Sequence, residues 1–279
     1  MGGERPRLLV VADASDRGAQ AVAEVVAARH GEQAVVRVAP ATLTTSAAWQ
    51  HRIVAGRAST ALQLPDGSWL GDPPAAVVLN RMRWVMPPTM SSAADGQYAV
   101  MELHALLLSW FAGLDALVVN PPTPSNLAGV GFTDLDLLAH LTRRGLPIRT
   151  LELTTQRRSA SSAPAAHADP PYRWSPEPSG WARVLVAGSL VLGAPAGADD
   201  LCREVAEVLR CPLLEVSLVR EADRGWVVSA VDHLPALEEP AEVQAVVDLI
   251  DRSVASCDPA PQAVAAWASH PAPGGRATT

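Results

Sequence analysis

Apolar and polar positions along this chain fall into blocks that read as strand, turn and helix in succession. Residues 7–12, RLLVVA, are short and almost wholly apolar, which predicts a buried strand. Asp13, Ala14, Ser15 and Asp16 follow, and apolar positions then recur at helical spacing over 18–30. Ser15 or Asp16 is the expected N-cap, because a short polar side chain there accepts from the first free backbone N–H groups. Residues 34–38, AVVRV, predict a second strand. The stretch 51–71 carries Pro65-Asp66-Gly67 between two extended runs and predicts a β-hairpin or meander. Further on, 76–79 reads as a buried strand and 95–113 as a long helix. Residues 115–119 read as a strand stopping at Asn120-Pro121-Pro122. A helix over 133–145 ends in a glycine signal, and a strand over 147–153 closes the block.

The periodicity stops at Gln156. Residues 156–180, QRRSASSAPAAHADPPYRWSPEPSG, show neither a helical nor a strand period, and this Ser/Ala/Pro-rich composition reads as a linker or mobile loop. Pattern resumes with a strand over 182–187, a helix over 199–210, strands over 212–219 and 225–231, and a helix over 239–255. The expected organisation is therefore an α/β domain at 1–155, a linker at 156–181, a smaller α/β unit at 182–256 and a flexible tail at 257–279.

Composition narrows the chemistry. Of 279 residues 48% are hydrophobic but only 4% aromatic, so the core must be built from Ala, Val and Leu with Trp as filler. A net charge of −7 argues against a nucleic-acid surface, which needs a basic field. The chain has no lysine; all 22 basic residues are arginine. Lysine Schiff bases, lysine general bases and lysine phosphate grips are thereby excluded. Cys202, Cys211 and Cys257 are odd in number and lack CxxC spacing, which points away from disulfides and from a thiolate zinc site. The start is too short in apolar run for a signal peptide, and no stretch reaches the ~18 apolar residues of a membrane span. A cytoplasmic protein without membrane contact is expected.

Three segments carry a resemblance: VVLNRMRWVMPP at 77–88, YAVMELHALLLSWFAGLDALVVNPP at 98–122, and GLPIRTLELTT at 145–155. Together they resemble the N-terminal region of RimK-like ATP-grasp ligases, especially those that mature ribosomal peptides. ARVLVAGSLVLGAP and LLEVSLVREADRGWVVSAVDHLPAL are similar to the far end of the same family, which reads roughly D-x-x-x-(loop)-G-x-x-x-x-E-V-N-x-x-P. The resemblance implies a pre-ATP-grasp-like α/β domain followed by a reduced ATP-grasp-like α/β unit.

The departures matter as much. Between the matching blocks the family carries a lid subdomain that presents lysines to the nucleotide. Here the Ser/Pro-rich stretch stands in its place, shorter than the roughly 40 residues an independent core needs. At the metal end the family uses two acidic groups and an asparagine to hold two magnesium ions, hard cations that want oxygen ligands. The resemblance places Ser217 and Ala230 at the acidic positions and Asp232 at the asparagine, with Glu215 two residues from Ser217 and Pro235 retained. Only Asp232 survives as a relic metal ligand, or else as an ordinary strand-end residue.

Other polar candidates are Arg81 and Arg83, which follow a strand and at a spacing of two are expected on one side, as an anion or peptide site. Asn120 is a third ligand-binding candidate, or a turn former. Glu102 and His104 read as structural. Gly129 and Gly131 lack the spacing of a nucleotide fingerprint, and the histidines lack metal spacing.

No catalytic residue is expected. The reading is a non-catalytic pseudoenzyme that needs no cofactor and binds a peptide, a small acidic metabolite or a partner enzyme. It would assemble as a homodimer or hetero-complex to cover apolar surface left by a lost lid. The alternative is an active ATP-dependent carboxylate–amine or carboxylate–thiol ligase using ATP and Mg, its phosphate grip built from Arg157, Arg158, Arg183 and Asp232.

Overall fold

The computed structural model describes residues 5–46, 48–54, 57–70, 74–85, 87, 89–130, 134–153, 172–174 and 178–256. The chain divides into two compact units, one of residues 1–128 and 247–279 and one of residues 129–246. The division falls ahead of residue 155, and the chain returns to the first unit within its last helix. Most of 156–181, and all of 257–279, lie outside the described residues.

In the first unit β1 (Leu8–Val11), α1 (Arg17–His30) and β2 (Val35–Val38) start the α/β pattern, followed by the short helix α2 (Pro40–Thr45). An antiparallel sheet follows: β3 (Trp49–Val54), β4 (Arg57–Gln63) and β5 (Trp69–Leu70), with the Pro65-Asp66-Gly67 turn between the last two. Gly67 has φ +83°, a conformation glycine adopts without strain. Next come β6 (Val77–Asn80), α3 (Ala93–Gly113) and β7 (Leu117–Val119). Strands β2, β1, β6 and β7 lie side by side in that order and all parallel. The fully buried β1 and β6 are apolar, save for Asn80 at the end of β6, because a central parallel strand is covered on both faces.

Trp110 anchors the core of this unit. It is 1% exposed, meets Trp49 edge-on at 5.8 Å and Phe111 at 4.7 Å, and packs among Leu9, Met82 and Leu107.

The second unit begins with α4 (Asp134–Arg143), β8 (Leu151–Leu153) and β9 (Tyr172–Trp174), the last two paired antiparallel. Tyr172–Trp174 is thus strand where the sequence suggested linker. Then follow β10 (Trp181–Ala187), β11 (Leu190–Leu192), α5 (Asp199–Leu209), β12 (Leu213–Glu221), β13 (Gly225–Asp232) and α6 (Pro240–Ser256). The sheet order is β11-β10-β12-β13, antiparallel throughout. One face carries Val184, Val186, Val216, Leu218 and Val228 against Val205 and Leu209 of α5. Gly193 follows β11 and passes close to β10: at φ +79°, a Cβ there would sit 2.7 Å from the Arg183 carbonyl. Among the described residues no helix is long and apolar enough to cross a membrane.

Replacing Trp110 by alanine should cost about 3–5 kcal/mol, the usual range for emptying a large aromatic site. A urea titration followed by far-UV circular dichroism should show a clearly lower midpoint; an unchanged midpoint would contradict the packing described.

Candidate functional site

The carboxyl ends of β1 and β6 meet where the parallel sheet reverses its strand order, the place where open α/β sheets bind ligands. Asp13 leads the turn after β1, its Oδ1 accepting from the Ser15 N–H at 2.9 Å and the Ser15 hydroxyl at 2.8 Å. Those two bonds hold the exposed Asp13 carboxyl below its ordinary value. Asp16 is the N-cap of α1, with Oδ1 accepting from the Ala19 N–H at 2.9 Å. Its other oxygen accepts from Arg81 Nε at 2.6 Å. The Arg81 side chain is 3% exposed. A buried guanidinium needs such a partner, because removing a charge from water is costly unless it is paired.

Asn80, also buried, donates from Nδ2 to the carbonyls of Asn120 (2.9 Å) and Leu127 (2.7 Å) and accepts from the Met82 N–H (3.2 Å). Asn120 is buried at φ +58°, a left-handed conformation that asparagine tolerates better than most residues. Arg81 and Asn120 therefore come together at one sheet edge. Arg83 does not share their side: Arg81 is buried while Arg83 is exposed. The strand ends at Asn80, so the two-residue alternation that would align them stops there.

In the second unit, the sheet face opposite α5 carries the polar groups. Cross-strand register lines up Arg183, Ser217 and Ala230 in one row and Leu185, Glu215 and Asp232 in the next. Arg183 Nε donates to Glu215 at 2.7 Å, and its Nη1 donates to Glu242 at 2.5 Å. Glu242 lies in the first turn of α6, where its second oxygen accepts from the Glu238 N–H at 2.8 Å and the Glu239 N–H at 3.1 Å. Burial pushes the Glu242 carboxyl up, but the Glu239 N–H, the Arg183 guanidinium and the Glu238 N–H outweigh it and hold the group below its ordinary value. Asp232 is exposed, with Oδ1 accepting from the Leu234 N–H at 2.8 Å. His233 is buried beside Cys211, Nδ1 to Sγ 3.8 Å. Burial lowers the histidine and raises the Cys211 thiol to about 12, so both are neutral near pH 7.

A cavity of about 480 Å³ lies in the same unit between α4 and the chain entering β8. Leu135, Leu138, Ala139, Ile148 and Leu151 line it together with Asp136, Arg149 and Arg224. The Ile148 segment is held by two backbone bonds to β13, Arg149 N–H to Val228 O at 2.7 Å and Val228 N–H to Pro147 O at 2.9 Å. Strand character over 147–150 is limited to that bridge.

No sequence family matches the chain, and no curated protein matches it in sequence. Solved structures do match in shape. The macrocyclase MdnC bound with precursor peptide MdnA, from Microcystis aeruginosa, superposes with a TM-score of 0.68 at 11% identity, covering 88% of this chain and 99% of that one. The ATP-grasp ligase PsnB complexed with minimal precursor, Mg and ADP gives 0.65 at 17% identity, covering 89% and 98%. A peptide-associated ATP-grasp ligase from Chryseobacterium gregarium, in complex with ADP and a leader and core peptide, gives 0.62 at 11%, covering 88% and 96%. The chain has the ATP-grasp fold.

Within that fold the sheet face around Asp232 does not fit a pair of magnesium ions. Ser217 and Ala230 stand directly opposite each other across the β12–β13 ladder, and neither carries a charge. Both nearby carboxylates, Glu215 and Glu242, are engaged by Arg183, whose own positive charge opposes a divalent cation between them. Among the described residues no group of three or more His, Cys, Asp or Glu is disposed to hold a metal. Arg157 and Arg158, the other members of the alternative phosphate grip, lie outside the described residues. Sequence reading missed two pairings, Arg81 with Asp16 and Arg183 with Glu242. The first had a signal, an N-cap Asp after one strand and an Arg after its parallel neighbour. The second joins residues 59 apart and had none.

Because the folded-state value of Glu242 lies below its unfolded value of 4.5, its contribution to stability is present above pH 4.5 and is lost as pH falls through the folded value. Glu242→Gln should therefore lower stability at pH 7 and flatten the decline below about pH 4.5. Thermal melts from pH 7 to 3 check this; parallel curves for the two proteins would refute it.

Proposed function

We propose that this chain is a non-catalytic ATP-grasp-fold protein that binds a peptide, in the setting of peptide or natural-product modification. The observation that carries the reading is the sheet face of the second unit. A serine faces an alanine where the family resemblance calls for two carboxylates, and Arg183 pairs with Glu215 and Glu242, leaving Asp232 as the carboxylate on that face outside its reach. A nucleotide triphosphate needs cations to offset its charge in the acyl-phosphate chemistry of such ligases, and without them that step loses its main electrostatic support. No cofactor is required on this reading.

The peptide half of the proposal draws on similarity. MdnC and PsnB are seen with precursor peptides bound. In this chain the α4–β8 cavity, mostly apolar but with Asp136, Arg149 and Arg224 among its lining residues, has the size range of ligand sites and suits a short apolar segment with a charged neighbour. At the first unit's sheet edge, Arg83 is the exposed cation that would contact a ligand, while Arg81 and Asn120 hold the loops beside it. A small acidic metabolite or a partner enzyme are the other ligands these groups suit. Assembly as a homodimer or as a hetero-complex with the enzyme served completes the reading.

The second reading, an active ligase, is favoured by PsnB having been seen with Mg and ADP and by the exposed carboxylate of Asp232. Calorimetry with ATP and Mg separates the two. The folded chain should give no heat of binding at millimolar ATP. Micromolar binding that disappears in Asp232→Ala would return the chain to the ligases.

A further inference from the structure

Helix α3 buries one side and leaves a second apolar side uncovered. Of its 21 residues only Leu107, Trp110 and Phe111 are buried. At ~100° per residue these three point one way. On the opposite side Ala94, Tyr98, Met101, Ala105, Leu108 and Ala112 succeed one another at steps of four, three, four, three and four. That is the spacing of a helix–helix seam. Five of the six are exposed and Leu108 is half-buried; Tyr98 is 66% and Met101 65% exposed. A soluble chain rarely leaves such a stripe bare.

The arrangement of the stripe says what covers it. Its steps read the same in both directions about Leu103. A second α3 laid antiparallel about a two-fold axis at that point places Ala94 against the second copy's Ala112. Tyr98 then meets Leu108 and Met101 meets Ala105. Met101 and Ala105 thus pair a large residue with a small one at the centre, as interlocking seams require. A surface that is complementary to itself under a two-fold rotation is the definition of an isologous contact.

The neighbouring hairpin extends the surface. His51 bonds Ser109 of α3 at 2.8 Å, and by strand alternation Ile53 stands on the same face; Ile53 is 63% exposed. A helix pair about 30 Å long, with Ile53 at its ends, buries on the order of 1,000 Å², the size at which specific interfaces begin. Charge argues against a lipid surface: α3 has no arginine, and its acidic residues are Asp95 and Glu102, whereas helices that lie on membranes carry basic polar faces.

We infer that α3 is a homodimerisation helix, pairing antiparallel with α3 of a second copy about Leu103. This deepens the assembly part of the proposed function and rests on that part alone; the pairing does not require that a peptide bind.

Light scattering on the full chain at micromolar concentration should give twice 29.3 kDa. Tyr98→Glu with Met101→Glu should halve that mass while leaving far-UV circular dichroism unchanged, both side chains being exposed. As an independent readout, Met101→Cys and Ala105→Cys chains mixed under mild oxidation should form a disulfide-linked dimer far faster than either chain alone. A monomeric wild type, or one that gains mass only with another protein, overturns the inference together with the homodimer reading. A dimer that survives both glutamates, or that fails to cross-link 101 to 105, keeps the homodimer and overturns the α3 surface.

Discussion

A guanidinium laid along a sheet face draws negative charge to itself, and in the second unit that charge comes from two different elements. Arg183 leaves β10 and is met by Glu215 from β12 and Glu242 from α6. Glu242 serves twice, because the oxygen not given to Arg183 caps the free N–H groups at the start of α6. One carboxylate thus fixes where the last helix begins and how the sheet face is charged. Loosening it would expose helix donors and a cation together. The face is consequently committed to its own ion pairs before any ligand arrives.

The first unit solves a similar problem by the same economy. Asp16 caps α1 with one oxygen and takes Arg81 with the other. The anion-attracting end of a helix and the cation that follows β6 are satisfied by one side chain. In both units the groups that look available in the sequence are occupied in the fold. Among the described residues, Arg83 and Asp232 stand exposed outside these pairs.

Regular elements were legible because periodicity expresses burial directly. The RLLVVA run became β1, Asp16 became the N-cap, and the 95–113 helix appeared as Ala93–Gly113. Short elements escaped. The helix Pro40–Thr45 spans fewer than two turns, and Leu190–Leu192 is a three-residue return strand set by the tight turn at Gly188. Neither is long enough to show a period. Residues 147–150, Pro-Ile-Arg-Thr, are expected from the sequence to open a strand, yet their pairing is one bridge from Ile148 to Val228 rather than a ladder. The site was less legible than the fold for a related reason. The identities of Ser217, Ala230 and Asp232 could be read along the chain, but the partners that set their surroundings, Asp16 for Arg81 and Glu242 for Arg183, are fixed only by folding.

The β12–β13 ladder shifts register between Ser217 and Leu218, so that Val228 pairs with Leu218, Ala230 pairs with Ser217, and Ser229 has no partner. Elsewhere in a strand, removing one residue turns every following side chain to the wrong face. Here the loss of Ser229 would join two stretches already in phase, giving a regular ladder with Ala230 and Asp232 still opposite their present neighbours. Length variation among descendants of this chain therefore has one natural outlet inside its second sheet, at a single serine.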